Sequence, residues 1–140
     1  MANEAIKVEG PYEVHDFTVS DGTQISNLTL MVFVDPRTAS ASSIANTVTA
    51  PQAFAGISFS EKKASDGSTQ LGLAKTGTFV LTASPGTEGL ITAGQLVALS
   101  GINLIRPAVA LDSLSGTVVG KALEDIAGSS TGEVKIGAVV

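Results

Sequence analysis

The chain has 140 residues with thirteen acidic and eight basic side chains, for a net charge of −5. It lacks the basic excess that displaces phosphate counterions, which argues against nucleic acid as a partner. It has no cysteine and one histidine, which excludes disulfides, thiolate chemistry and a Cys/His zinc site.

Hydrophobic residues reach 44% but aromatics only 4%, and the apolar content is Ala, Val, Leu and Ile spread among Gly, Ser and Thr. That is a β-type composition. No apolar run approaches a membrane span, and the opening MANEAIKVEG has no apolar signal-peptide core. The length suits one domain that buries enough surface to fold unaided.

Ala2 to Glu9 alternates weakly and is cut by Gly10-Pro11, which predicts an extended arm over residues 1–10 ahead of a β domain over 11–140. Tyr12 to Ser20 alternates better and meets the turn Asp21-Gly22. Leu28 to Val34 is apolar at nearly every position, as expected of a strand covered on both faces, and stops at Asp35-Pro36. Arg37 to Thr49, rich in Ala, Ser and Thr, reads as a loop or a single helical turn. Ala53 to Lys63 reads as a strand with Phe54, Gly56, Ser58 and Ser60 opposite Ala55, Ile57, Phe59 and Glu61.

The segment 64–69 is a turn around Asp66-Gly67, followed by strands at Gln70 to Ala74 and Gly77 to Ala83 with Phe79 and Leu81 on one face. Ser84 to Gly89 is a Pro/Gly loop, and Ile91 to Gly94 turns into strands at Gln95 to Leu99 and Asn103 to Ile105. The chain closes on LSGTVVGKALEDIAGSSTGEVKIGAVV. Gly116 to Leu123 reads as a strand there, and Glu133 to Val140 alternates with period two, placing Val134, Ile136, Ala138 and Val140 on a buried face. Such a final strand closes a barrel or sandwich against a much earlier partner. Lys121 to Ile126 is the best helical turn. No repeat of 20 to 50 residues is visible.

The fold expected is therefore all-β: a compact barrel-like or tulip-like single domain with one short helical turn and an extended N-terminal arm.

Catalytic constellations fail one by one. His15 and Asp16 are adjacent on a strand and point to opposite faces, and no serine stands in a nucleophile elbow. Gly120-Lys121 lacks the remainder of a phosphate loop. Glu124-Asp125 read as solvated charges rather than an acid pair, and Lys62-Lys63 as a solvated strand end. The Asp66-Gly67 turn lacks the carboxylate ladder of a calcium loop. No enzyme, cofactor, metal site or small-molecule substrate is expected, and no membrane.

Several phrases resemble one family. They are Gly10-Pro11-Tyr12, His15 to Thr23, Asp35 to Ala39, Phe54 to Ile57, Gly77 to Phe79, Ile91 to Gly94 and Val119 to Glu124. Together they resemble the small capsid decoration proteins of tailed phages and prophages, also called head-stabilising or cement proteins, with a role like that of the lambda-type head protein. The resemblance runs in order along nearly the whole chain. It implies a β-barrel or β-tulip domain, often a homotrimer, on the outer surface of the virion capsid, where it clamps major capsid subunits. It carries no catalytic residues.

The capsid contact expected on that resemblance is the arm: Ala2, Asn3, Glu4, Ala5, Ile6, Lys7, Val8 and Glu9. An extended arm can add a strand to an exposed sheet edge while Ile6 and Val8 fill pockets. The same residues can equally be the first strand of the chain's own barrel. Rival readings of the whole are another virion module of the tail or head fibre, a carbohydrate-binding β-sandwich, for which one Tyr and no Trp make a poor aromatic platform, and a small hydrolase.

Overall fold

The computed structural model describes residues 4–35, 38–41, 53–86 and 90–137. Its strands are β1 (Ile6–Glu9), β2 (Val14–Thr18), β3 (Leu30–Asp35), β4 (Thr38–Ala41), β5 (Phe54–Ser58), β6 (Gln70–Ala74), β7 (Gly77–Ala83), β8 (Leu96–Leu99), β9 (Leu104–Pro107), β10 (Val118–Ala122) and β11 (Thr131–Ile136), with a helix α1 (Ala110–Ser115) between β9 and β10. The architecture is nearly all β, and its strands close into two barrels rather than one.

The N-terminal barrel runs β2-β4-β3-β5-β6 and closes β6 onto β2. The C-terminal barrel runs β7-β11-β10-β8-β9 and closes through the parallel pairing of Thr82 and Ala83 with Leu104 and Ile105. β1 lies antiparallel along the first half of β7, outside that ring.

The two rings have the same topology. In each, the first strand pairs parallel with the third and antiparallel with the fifth, while the second pairs with the third and fourth. Residue registers correspond as well. Adding 64 to the numbers of β2 and β5, 66 to those of β3 and β4, and 61 to those of β6 converts one ladder into the other. Phe17 opposite Leu71 becomes Leu81 opposite Gly132, Leu30 opposite Ile57 becomes Leu96 opposite Lys121, and Phe33 opposite Ala39 becomes Leu99 opposite Ile105. The isolated bridge Ile25–Lys62 becomes Ile91–Ile126. Leu28 and Gly94, and Ser65 and Ser129, share left-handed backbone at corresponding sites. The chain is thus an internal duplication with a unit of about half its length.

Alternation along each strand accounts for the cores. Phe17, Val19, Ile25, Met31, Ala39, Ala55, Leu71 and Leu73 fill the N-terminal barrel. Their counterparts Leu81, Ala83, Ile91, Val97, Ile105, Val119 and Val134 are buried in the C-terminal one. The difference between the units lies on the outer flank of the second, fourth and fifth strands. In the N-terminal barrel this flank carries Leu30, Val32, Phe54, Ile57 and Ala74, which join the core cluster of the other barrel. The stretch 28–34 is apolar on both faces for this reason: Met31 points into its own barrel while Leu30 and Val32 seal the second.

Several expectations are corrected. The helix lies at Ala110–Ser115, and Lys121–Ile126 instead finishes β10 and bends away, because Ala122 is committed to the ladder opposite Val134. Within the predicted loop 37–49, Thr38–Ala41 form β4; the rest, like the predicted core positions Ala138 and Val140, lies outside the described residues. In β5 the simple alternation fails, because the register shifts between Met31 and Val32 and two residues, Ala55 and Gly56, face Met31. The bulge turns Phe54 and Ile57 to the same side. Lys62, expected in solvent, is 2% exposed.

Candidate functional site

The arm residues divide. Ala2 and Asn3 lie outside the described residues. Glu4 is half-buried, and Ala5 is buried, its N–H donating to the Leu28 carbonyl at 2.8 Å. Ile6–Glu9 form β1, pairing Ile6 with Val80 and Lys7 with Phe79 before a bulge reaches Glu9 opposite Thr78. The first strand of the chain's own sheet is therefore the arrangement found for residues 6–9.

All four residues of β1 are exposed: Lys7 lays its Nζ 4.8 Å over the Phe59 ring, and Ile6 and Val8 are 60% and 44% exposed. On its far side β1 has no strand partner among the described residues. It is an edge with two aliphatic side chains turned to solvent, the combination that strand addition uses.

Behind β1, Tyr12 holds the N-terminal segment down. Its ring packs between Phe59 and Phe79, with centroids at 5.2 and 5.4 Å, and Gly77 leaves it room. A groove of about 400 Å³ opens between Gly10-Pro11 and the end of β11, lined by Thr76, Thr78, Leu123 and Lys135 among others. Among the described residues the groove holds an ammonium, aliphatic walls and the Glu9 position, but no nucleophile–base pair.

The single histidine stands at one end of the N-terminal barrel. His15 Nε2 meets Glu13 Oε1 at 2.7 Å with both side chains largely in solvent. Asp16 is on the opposite face, as strand geometry requires. Glu124 and Asp125 are exposed and accept backbone N–H groups of Glu133 and Ala93, which gives them a loop-tying role. Among the described residues no three His, Cys, Asp or Glu side chains come together as a metal group, and no helix is long and apolar enough to cross a membrane.

Three buried charged side chains among the described residues, Lys62, Arg106 and Asp112, were not legible as such. Lys62 takes the place of Ile126 in the duplicated bridge, and its Nζ donates to Asp21 O, Asp21 Oδ1, Lys63 O and Asp66 Oδ1, each at 3.0 Å. Burial opposes its charge, but the hydrogen bonds to Asp66 and Asp21 outweigh that and raise its pKa. Asp66 is pulled down to about 2, first by the Ser68 N–H and then by Lys62.

The sign for Asp66 is that of a depressed carboxylate. It stabilises the fold above its unfolded value near 4 and loses that contribution as pH falls toward about 2. Lys62, raised, stabilises at neutral pH and loses its contribution only as pH climbs through its folded value. Lys62→Met is expected to raise the acid midpoint of unfolding, measured by circular dichroism between pH 5 and pH 2. An unchanged acid limb would contradict the assignment.

The other two form an ion pair that anchors α1. Arg106 Nη1 and Nη2 reach Asp112 Oδ2 and Oδ1 at 2.7 and 2.9 Å, and Asp112 also accepts the Val109 N–H at 2.7 Å. Burial pushes Asp112 up, but the Arg106 and Val109 hydrogen bonds prevail and hold it below the usual carboxylate range. These contacts clamp the helix to β9 and place the following Gly116, whose carbonyl accepts the Phe54 N–H of the other barrel at 2.8 Å. No family model and no curated protein matches this chain.

Proposed function

We propose that the chain is a capsid decoration protein, a cement subunit on the outer surface of an icosahedral head that stabilises contacts between major capsid subunits as a homotrimer. The reading draws on the resemblance of its strand-and-turn phrases to phage decoration proteins. The observation that carries it is the free edge of β1 with Ile6 and Val8 turned outward. A capsid strand added there gains main-chain hydrogen bonds, while the two aliphatic side chains enter pockets.

Each such contact is weak. In a trimer the later contacts become intramolecular, so avidity exceeds a single contact by orders of magnitude. A subunit that binds only the expanded shell stabilises that shell by mass action.

Removing residues 2–9 would not isolate this contact, because it also strips Ala5 from the core and the ladder from β7. The cleaner test is Ile6→Ser with Val8→Ser. Both side chains are exposed, so thermal stability should shift by no more than about 0.5 kcal/mol, while affinity for expanded phage heads falls at least about tenfold. Occupancy counted by electron microscopy of heads incubated with each protein is the readout, and undiminished occupancy overturns the reading.

A further inference from the structure

The duplication allows one end of each barrel to be compared with the same end of the other. In the C-terminal barrel this end is sealed. Phe79 and Leu99 are both 0% exposed, Asn103 Oδ1 accepts the Leu30 N–H at 2.9 Å, and the Tyr12 ring covers Phe79. The seal is the apolar flank of the N-terminal barrel.

Among the described residues, the corresponding end of the N-terminal barrel is an open mouth. His15 stands where Phe79 does and Phe33 where Leu99 does. Phe33 is 37% exposed, and Val14 on β2 and Val34 on β3 are 43% and 50% exposed. The Phe33 ring meets Phe17 edge-on at 5.4 Å, and Lys75 lies over both rings. Glu13 stands at the mouth with its carboxylate on His15, and Asp16 lies on the outer face of β2 at the rim.

The matching flank of the C-terminal barrel is partly open: Ala98, in the place of Val32, is buried, Leu96, Val118 and Lys121 are half-buried, and Leu123 and Lys135 are exposed. Leu96, Val118, Lys121, Leu123 and Lys135 occupy the places of Leu30, Phe54, Ile57, Phe59 and Ala74. Leu123 is 48% exposed where Phe59 is covered by Tyr12, and the 400 Å³ groove runs past it and Lys135. The flank carries two lysines; the mouth carries the Glu13 carboxylate and Lys75, with the Asp16 carboxylate on its outer rim.

We propose that a second copy of this chain seats the flank of its C-terminal barrel on the mouth of the N-terminal barrel, repeating between chains the contact that joins the two barrels within one. Lys121 and Lys135 meet Glu13 and Asp16, and Leu96, Val118 and Leu123 cover Phe33, Val34 and Val14. The contact is head-to-tail, so it propagates until a ring closes. It rests on the fold alone and needs no capsid.

Sedimentation velocity on the full chain, from micromolar to near-millimolar concentration, tests it. The wild type should associate. K121E with K135E should raise the dissociation constant at least about tenfold with circular dichroism and melting unchanged; Phe33→Ser should weaken association as well, at a lower melting temperature, because its ring packs on Phe17. Charge reversal on both faces in one chain, E13K and D16K with K121E and K135E, should restore association toward wild type.

A monodisperse monomer throughout overturns the proposal. So does association indifferent to these substitutions, or a folded four-site variant that fails to recover. Binding to phage heads is a separate readout: a chain that associates but leaves heads bare refutes the decoration reading alone, and one that coats heads as a monomer refutes this interface alone.

Discussion

Arg106→Met is expected to destabilise the protein by about 3–5 kcal/mol, because it strands a buried carboxylate. Asp112 is 0% exposed and would keep only the Val109 N–H of its present partners. The effect should reach beyond the helix. Losing the clamp frees α1 and with it Gly116, whose carbonyl holds Phe54 at the junction of the barrels.

Its pH signature is specific. In the wild type Asp112 is held below the ordinary carboxylate range, so it stabilises the fold above the unfolded value near 4 and loses this only at lower pH. With Arg106 gone, burial acts unopposed by the guanidinium, and the acid limb should move to higher pH. Replacing both partners, Arg106→Met with Asp112→Leu, should recover most of the loss, since a well-packed apolar pair often equals a buried ion pair. Urea denaturation of the three variants decides it. A single-variant loss below about 1 kcal/mol would place the pair among weak surface bridges instead.

Gly120→Ala is the second large effect, at about 2–4 kcal/mol. A Cβ on Gly120 would run into the Lys135 carbonyl and stand 2.9 Å from the Ile136 Cα. Both are backbone atoms in the next strand, so neither can swing aside. The duplicate position behaves alike: a Cβ on Gly56 would lie 2.8 Å from the Ala74 carbonyl oxygen, and its φ of +151° adds strain.

Gly67 makes the control, with a φ of +85° but nothing within 4 Å of its missing Cβ. Gly67→Ala should cost only about 1 kcal/mol. If all three variants melt together, close strand approach is not what reserves glycine at 56 and 120.

Much of the strand pattern was legible in the residues. The turn at 64–69, the run 28–34 and the alternation at 133–136 each report a local preference that tertiary contacts reinforce. The helix was misplaced because Ala122, Leu123 and Ile126 satisfy helical spacing while the ladder to β11 claims the backbone of Lys121 and Ala122. Lys62 read as solvated because a lysine carries no local sign of the two aspartates, 41 and 4 residues away, that enclose it.

The duplication escaped detection because its unit exceeds the repeat lengths of solenoids and propellers. What it preserves is also pairing geometry more than residue identity: Ile57 answers to Lys121 and Ala74 to Lys135. The edge role of Ile6 and Val8 was visible as alternation, but whether they join a neighbour or the chain's own sheet was not.

By itself, the sequence determined a β protein of short strands, the turns between them, and the absence of cysteine chemistry, since composition, period and turn residues act within a few positions. Only the tertiary structure decided that the strands close two like barrels and that one barrel's flank plugs the other's end. It also decided which charges are buried. Those outcomes depend on pairing and packing between residues tens of positions apart, which no local pattern encodes.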